Sequence, residues 1–158
     1  MPLVAVFRNQ PVSFVLDAAE KIQLHAVQLH GDEDSDYIVE LRKQLDATIE
    51  IWKTLHVTDT LPSPPKTKVD ALLLENGNSK LAGGSGKSFD WLLLEKVDDM
   101  YKAYSKSELI LAGGLNPDNI LAATQTGMQR FDLASGVEFA PGKKDIHKTK
   151  QLFLKVRQ

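Results

Sequence analysis

Two short segments late in the chain combine glycine with the ends of apolar runs. Gly113 and Gly114 follow one such run, and Ser135 and Gly136 follow the next. Glycine lets the backbone come close to an anion, and a helix that begins after such a loop presents unbonded N–H groups to it. Two consecutive loops of this kind predict a phosphate site. Ordinary tight turns remain an equally good interpretation of the residues alone.

Four polar side chains lie at or just beyond the ends of apolar runs: Gln28, His30, Glu75 and Asp132. An imidazole or carboxyl group in such a place can donate or accept a proton during catalysis. The same residue types also cap loops and helices, which is their usual role at these positions. The sequence therefore leaves a ligand-binding role and a purely structural role open for each of the four.

The segment GGSGKS, at residues 83–88, is similar to the phosphate-binding loop of nucleotide-binding proteins. That motif needs a glycine five positions before its second glycine, and Leu81 stands there instead. No apolar run leads directly into Gly83 either. Nucleotide binding is therefore not favoured. We predict a flexible lid over a ligand, with a plain surface loop as the alternative.

The composition indicates a single globular domain over residues 1–158, with 42% apolar and 25% charged residues. A net charge of −2 without any basic block argues against a nucleic-acid partner or a basic membrane anchor. The lack of cysteine excludes disulfides and a thiol base. The sequence contains no HExxH motif or other metal-ligand spacing, so we do not expect a metal site. Without an apolar run long enough for a bilayer, or a visible signal segment, we expect a cytoplasmic protein.

Short apolar runs alternate with stretches of helical period along the chain. Strands without polar alternation are typical of parallel sheets that helices cover on both faces. The sequence thus predicts six βα units, with strands at residues 4–7, 26–29, 49–52, 71–74, 109–112 and 131–133.

The helices of these units are predicted from apolar residues spaced three and four apart and from their first residues. Ser35 can cap the second helix, and the proline-rich stretch 61–65 weakens the prediction of the third. The fourth is expected over residues 90–104. Asn116-Pro117 opens the fifth, and Asp145 begins the last.

Two architectures accept this pattern, a doubly wound open sheet and part of an eight-stranded (β/α) barrel. Ligand-type residues follow almost every predicted strand. A barrel collects its site from many strand ends, whereas a doubly wound sheet concentrates its site at one switch point. The barrel is therefore favoured. Because only six units are predicted where a barrel has eight, we expect an incomplete α/β barrel of TIM type.

Six segments, taken in order, resemble the phosphoribosylanthranilate isomerase family of tryptophan biosynthesis. They are VFRNQ (6–10), VQLHGDE (27–33), GGSGKSFDW (83–91), AGGLNPDN (112–119), SGVE (135–138) and PGKKD (141–145). The resemblance runs nearly from end to end and matches the six units to the third to eighth βα units of that family's barrel.

The resemblance implies an Amadori-type aldose–ketose isomerisation of N-(5′-phosphoribosyl)anthranilate, which needs neither a metal nor an organic cofactor. The family uses a cysteine base on its first strand and an aspartic acid after its sixth. Glu75 stands in the place of that aspartate, and the cysteine lies in the two units that these 158 residues do not match. Glutamic and aspartic acids have similar pKa values, so Glu75 is expected to serve as the general acid.

The remaining roles also follow from the resemblance, position by position. Substrate phosphate is expected on Gly113, Gly114, Ser135 and Gly136. Gln28 and His30 are expected to line the substrate site, and Asp132 is expected to contact the sugar chain.

The chain is thus expected to be a fragment or truncated form with impaired activity alone, and the alternative is a non-catalytic phosphate- or phosphosugar-binding protein of the same descent. A six-stranded sheet has two uncovered edges, which a closed barrel lacks. We therefore expect either a second copy of the chain or a complementing chain to cover them. Whether Glu75 supports catalysis, and which group replaces the cysteine, stay open at this stage.

Overall fold

The structure is a computed structural model that describes residues 2–77, 88–105 and 108–157. Eight strands are β1 (Val4–Phe7), β2 (Ala26–Leu29), β3 (Glu50–Val57), β4 (Ala71–Asn76), β5 (Leu109–Leu111), β6 (Arg130–Phe131), β7 (Glu138–Ala140) and β8 (Lys143–Lys144). Five α-helices are α1 (Val12–Lys21), α2 (Ser35–Gln44), α3 (Val97–Met100), α4 (Ile120–Gln125) and α5 (Ile146–Val156).

The first six strands form one sheet in which their order in space follows their order in the chain. The pairs β1–β2, β2–β3 and β5–β6 are parallel, and helices separate most of the strands in sequence. This is the α/β arrangement of six strands that the apolar runs predict. The internal contacts divide the chain into two compact units, one of residues up to Leu55 with Ser63–Leu72, the other of His56–Pro62 with the residues from Leu73 onward.

In the first unit, strands β1 and β2 have the bounds that the sequence predicts. All four residues of β2 are buried, and the strand pairs with β1 on one side and with β3 on the other. Helices α1 and α2 contribute Val15, Ile38 and Leu41 to this core, and none of the three is more than 1% exposed. The three-residue spacings of Val12 with Val15 and of Ile38 with Leu41 therefore mark buried positions of the two helices. Ile22, which the same periodicity predicts on the buried face of the first helix, is 46% exposed.

The cap of α2 is Asp34 and not Ser35, which corrects the prediction. The Asp34 carboxylate accepts a hydrogen bond from the backbone N–H of Tyr37 at 2.9 Å. The hydroxyl of Ser35 instead accepts the backbone N–H of Lys66 at 3.0 Å. Both residue types are good caps, so the sequence does not distinguish them, and the loop contact of Ser35 decides which residue turns towards the helix.

We expect Asp34→Ala to lower the free energy of unfolding by about 1 kcal/mol, because it leaves a first-turn N–H without its acceptor. Urea denaturation measures the change. Asp36→Ala, in the first turn of the same helix, is the control, since it removes only a favourable charge near the helix N-terminus, worth about 0.3 kcal/mol. Equal losses in the two variants would contradict the assignment of the cap.

In the second unit, the helix predicted over residues 90–104 is shorter and only partly α-helical. A 3₁₀ helix occupies Trp91–Lys96 after an Asp90 cap, and α3 adds one turn before Tyr101. The hydroxyl of the buried Tyr101 donates to the carbonyl of Pro62 at 2.8 Å, so a tertiary contact holds the chain where the prediction continues the helix.

The structure differs from the predicted elements in three other places. No helix forms in the described residues 58–70, since proline lacks an N–H and disfavours helical geometry before it. Helix α4 begins at Ile120, later than predicted. Asn116 nevertheless makes the contacts of a cap, because its side chain accepts the N–H groups of Asp118 at 2.8 Å and Asn119 at 3.3 Å and its carbonyl accepts the N–H of Ile120 at 3.1 Å. The antiparallel hairpin β7–β8 was not predicted. Asp145 does cap the last helix, as expected.

Across the part of the chain that the structure describes, no helix combines the length and the apolar character required to cross a bilayer.

Candidate functional site

A polar cluster on β2 and β3 gathers two of the predicted site residues in the first unit. The buried side-chain amide of Gln28 donates to the hydroxyl of Thr54 at 3.1 Å and lies 3.3 Å from Nδ1 of His30. The Thr54 hydroxyl is also 3.3 Å from Nδ1 of His30. Gln28 pairs with Trp52 in register, and residues two apart share a face, so all three side chains lie on one face of the sheet.

Thr54 is a candidate site residue that sequence reasoning missed. It lies in the extension of β3 beyond the predicted end at residue 52, and it is only 2% exposed. A buried hydroxyl in an apolar strand needs a hydrogen-bond partner, and this requirement is the signal that could have identified it.

Lys53 and Glu33 form a buried ion pair in the same unit, with Nζ and Oε2 2.9 Å apart. Burial by itself pushes the pKa of the Glu33 carboxyl upwards. The hydrogen bonds from Lys53 and from the backbone N–H of Asn9, together with the positive charge of Lys53, outweigh that effect, so the pKa of Glu33 lies below its ordinary value. Glu33 is therefore ionised in the folded protein at neutral pH.

Because the pKa of Glu33 is lowered in the folded protein, the free energy of unfolding decreases as the pH falls. The contribution of Glu33 is fully present above the ordinary carboxyl pKa of 4.5 and is lost as the pH falls through the lower folded-state pKa. We expect Glu33→Gln to unfold more easily at neutral pH, by about 3 kcal/mol, and to lose less stability on acidification than the wild type. Urea denaturation from about pH 7 down to about pH 3 measures both.

The matched control is Glu40→Gln, an exposed position on α2, which we expect to follow the wild-type curve. If Glu33→Gln lost as much stability in acid as the wild type does, the lowered pKa of Glu33 would be wrong.

In the second unit, Glu75 lies at the end of β4, half-buried, beside the loop that follows β5. A Cβ added to Gly113 would lie 3.0 Å from Cγ of Glu75 and 2.8 Å from the backbone N of Asn76. Gly113 also has a positive φ of 79°. Both facts require glycine here, and the absent side chain lets the β5 loop lie directly against the stem of the Glu75 carboxyl group.

The two predicted phosphate loops are in direct contact in this unit. A Cβ at Gly136 would overlap the carbonyl oxygen of Leu115 and lie 2.7 Å from its carbonyl carbon. Ser135 and Gly136 form a single 3₁₀ turn, Ser135–Val137. Gly114 has φ of 69°, and its carbonyl accepts the side-chain amide of Asn119 at 2.9 Å. The structure therefore brings these loops together.

The hairpin β7–β8 holds the Ser135–Val137 turn from its far end. Lys144 donates to the carbonyl of Ala134 at 2.9 Å and to the carboxylate of Glu138 at 2.8 Å. The hydrogen bond from Lys144 is the main reason that the pKa of Glu138 lies below its ordinary value. These contacts fix both flanks of the turn.

Asp132 follows β6 and is exposed, and its backbone N–H continues the strand pairing by donating to the carbonyl of Leu111 at 2.9 Å. The predicted site residues thus fall into two groups. Gln28 and His30 belong to the first unit, and the others belong to the second. The lid predicted at residues 83–88, and Leu81 with it, lies outside the described residues except for Ser88.

Comparison with known proteins decides the family. A sequence profile described as N-(5′phosphoribosyl)anthranilate (PRA) isomerase matches residues 1–155. The chain belongs to the PRA isomerase family. The tryptophan biosynthesis protein TrpCF of Vibrio cholerae is 46% identical over 154 residues, which cover 98% of this chain and 31% of TrpCF.

Two solved PRA isomerase structures resemble the chain with similar coverage. One, of monomers generated from the dimeric enzyme of Thermotoga maritima, has a TM-score of 0.72 and 27% identity and covers 99% of this chain and 72% of that one. The other, a complex with reduced 1-(o-carboxyphenylamino)-1-deoxyribulose 5-phosphate, has a TM-score of 0.70 and 27% identity, with coverage of 98% and 70%.

These findings confirm the resemblance and the predicted fold class. The α/β fold is of the TIM-barrel type found in the PRA isomerases, with six parallel strands. The chain spans about a third of the length of the curated relatives that it matches and about 70% of the solved structures.

Proposed function

We propose that this chain forms part of a PRA isomerase that converts N-(5′-phosphoribosyl)anthranilate to its ketose isomer in tryptophan biosynthesis. Family membership over residues 1–155 supports the reaction class. The Vibrio cholerae relative is a tryptophan biosynthesis protein, which supports the pathway, and the complex of a family member with a deoxyribulose phosphate supports a phosphosugar as the ligand.

The observation that carries the proposal is the contact between the loops after β5 and β6. Gly113, Gly114, Ser135 and Gly136 would bind the substrate phosphate through their backbone N–H groups, because main-chain amides in two adjoining turns can converge on one anion. The backbone of Gly136 lies so close to Leu115 that no side chain fits between them. That approach supports a shared anion site better than it supports two independent turns.

Glu75 would act as the general acid. Opening the ribose ring requires a proton on the ring oxygen as its bond to the aminated carbon breaks, and a carboxyl group can deliver that proton. The reaction also requires a base that removes a proton from the neighbouring carbon. Since the chain contains no cysteine, we propose that a cysteine outside these 158 residues supplies the base. Gln28 and His30 would line the substrate site, and Asp132 would contact the sugar chain.

The same proposal extends to partners, domain organisation and location. The 158 residues would act as one domain, together with a second copy or a complementing chain that covers the outer edges of β1 and β6, each of which pairs with one strand in the sheet. A dimeric family member supports association between copies. The family's biosynthetic role supports a cytoplasmic location.

Complementation tests the function. The chain is mixed with a polypeptide of two βα units that carries the family's cysteine on its first strand, and loss of substrate fluorescence is followed. We expect no measurable turnover from the 158 residues alone and clear turnover from the mixture. A polypeptide with Ser in place of that cysteine is the control. A folded complex without turnover would overturn the catalytic proposal, and binding of the deoxyribulose phosphate without turnover would favour a binding protein.

A further inference from the structure

The buried pair Glu33–Lys53 forms hydrogen bonds to the backbone of Gly31, the residue that follows His30. Lys53 Nζ donates to the carbonyl of Gly31 at 2.6 Å, while the N–H of Gly31 donates to Oε2 of Glu33 at 2.9 Å. The Lys53 side chain is 8% exposed and the Glu33 side chain is 1% exposed. Both polar groups of Gly31 are therefore bonded to the ion pair, in a place where little water competes.

The same carboxylate also holds a second loop. Its Oε1 accepts the backbone N–H of Asn9 at 2.7 Å, and Asn9 is in the left-handed region with φ of 57°. The Asn9 side chain accepts the N–H of Asp32 at 2.6 Å and fills the space beside Gly31, where a Cβ would lie 2.7 Å from Cγ of Asn9. Glu33 thus joins the loop after β1 to the loop after β2.

His30 belongs to the polar cluster with Gln28 and Thr54, and the residue after it is held by the Glu33–Lys53 pair. The backbone N–H of His30 donates to the carbonyl of Phe7 at 2.8 Å, and its Nδ1 lies 3.3 Å from Thr54 Oγ1. Thr54 follows Lys53 directly, and neighbours in a strand point to opposite faces. Strand β3 therefore contacts this loop twice: Thr54 lies beside the His30 ring, and Lys53 donates to the carbonyl of Gly31.

We propose that Glu33 and Lys53 are positioning residues that set the orientation of the His30 ring. A buried ion pair stabilises a fold little more than apolar side chains of the same size would, because both charges must be desolvated. Its hydrogen bonds are directional, however, and here three of them end on backbone atoms of the loops beside His30. A consequence for substrate binding rests on the proposed function, in which His30 lines the substrate site.

Glu33→Gln tests the proposal, since it keeps an acceptor of similar shape and removes the charge that holds Lys53. The ring nitrogens of His30 are followed by ¹⁵N NMR in the ligand-free chain at neutral pH, after assignment with His30→Gln. We expect the His30 ring signals to shift in Glu33→Gln. In the complemented protein we also expect the affinity for reduced 1-(o-carboxyphenylamino)-1-deoxyribulose 5-phosphate to fall by about 10- to 100-fold, as when one hydrogen bond between the site and a charged ligand is lost.

Asp70→Asn is the matched control. Asp70 also joins a cation, Arg42, to a backbone N–H, that of Ile51 at 2.7 Å, in the same unit and away from the His30 loop. We expect Asp70→Asn to destabilise the chain without moving the His30 signals or the affinity. Unchanged His30 signals in Glu33→Gln, or equal shifts in Asp70→Asn, would overturn the proposal.

Two further measurements keep the result interpretable. If Glu33→Gln alone does not fold, the double variant Glu33→Gln/Lys53→Met is measured by the same criteria, because it leaves no buried charge without a partner. If the wild-type chain does not bind the deoxyribulose phosphate after complementation with the two βα units, the proposed ligand is wrong. The NMR comparison needs no ligand and decides the positioning role separately.

Discussion

Glu75→Gln should reduce turnover of N-(5′-phosphoribosyl)anthranilate by about 10²- to 10⁴-fold in the complemented protein, the usual contribution of a positioned general acid. Glutamine has nearly the same shape as glutamate, but its amide has no acidic proton to give to the ring oxygen. Steady-state kinetics should therefore show a loss in kcat with little change in KM. Protein without the substitution, complemented in the same way, is the reference.

Glu75→Asp is the informative control because it installs the acid that the family carries at this position. Its carboxyl group is withdrawn by one methylene, which moves it by more than about 1 Å, and a displacement of that size can change the rate by about 100-fold. We expect Glu75→Asp to be at least as active as the parent protein. Full activity in Glu75→Gln would show that the acid lies elsewhere and would remove Glu75 from the mechanism.

The strands were the most predictable part of this fold. The runs at residues 4–7 and 26–29 match β1 and β2 residue for residue. Burial on both faces accounts for the apolar character of β2, apart from Gln28. It does not account for β1, in which Val4 and Val6 are exposed. Strand β3 was less predictable. It continues to Val57 through the polar residues Lys53 and Thr54, which β3 can bury only because Glu33 and Gln28 provide partners from elsewhere in the chain.

Helix ends and the hairpin depend on contacts that local sequence does not contain. Asp34 and Ser35 are equally suitable caps, and the choice between them is made by Lys66, 31 residues after Ser35. The hairpin β7–β8 has short strands of mixed polarity, and its stability comes from Lys144 and Glu138 bonding across it and back to Ala134. Neither arrangement has a periodicity that a sequence pattern could reveal.

The candidate site also has parts that the sequence could predict and parts that depend on tertiary contacts. The glycines were predicted to let the backbone approach an anion, and that role stays a prediction. The structure shows that Gly113 and Gly136 each lie where a side chain would collide with a neighbouring backbone. The identity of that neighbour was not predictable. Thr54 and Lys53 were missed because only the pairing of β2 with β3 places them beside Gln28 and the His30 loop. Glu33 was missed because its partners, Lys53 and Asn9, are 20 and 24 residues away in the sequence.

Gly136→Val should cause the largest loss of stability among simple substitutions in the second unit. Its Cβ would overlap the Leu115 carbonyl oxygen and come within 2.9 Å of Cβ of Asn116. The obstruction is backbone, which cannot rotate aside as a flexible side chain can. Overpacking usually costs about 1–3 kcal/mol, and we expect this variant to exceed about 3 kcal/mol in urea denaturation because the two loops must separate.

Separation of the loops should also abolish the predicted anion site. We expect inorganic phosphate to raise the melting temperature of the wild type and to leave that of Gly136→Val unchanged. Gly142→Ala is the control, because no described atom lies within 4 Å of a Cβ there and its φ of 73° costs alanine only about 1–2 kcal/mol. That variant should keep the phosphate response. If Gly136→Val also kept it, the phosphate would bind without the contact between the two loops, and Ser135 and Gly136 would lose their assigned role.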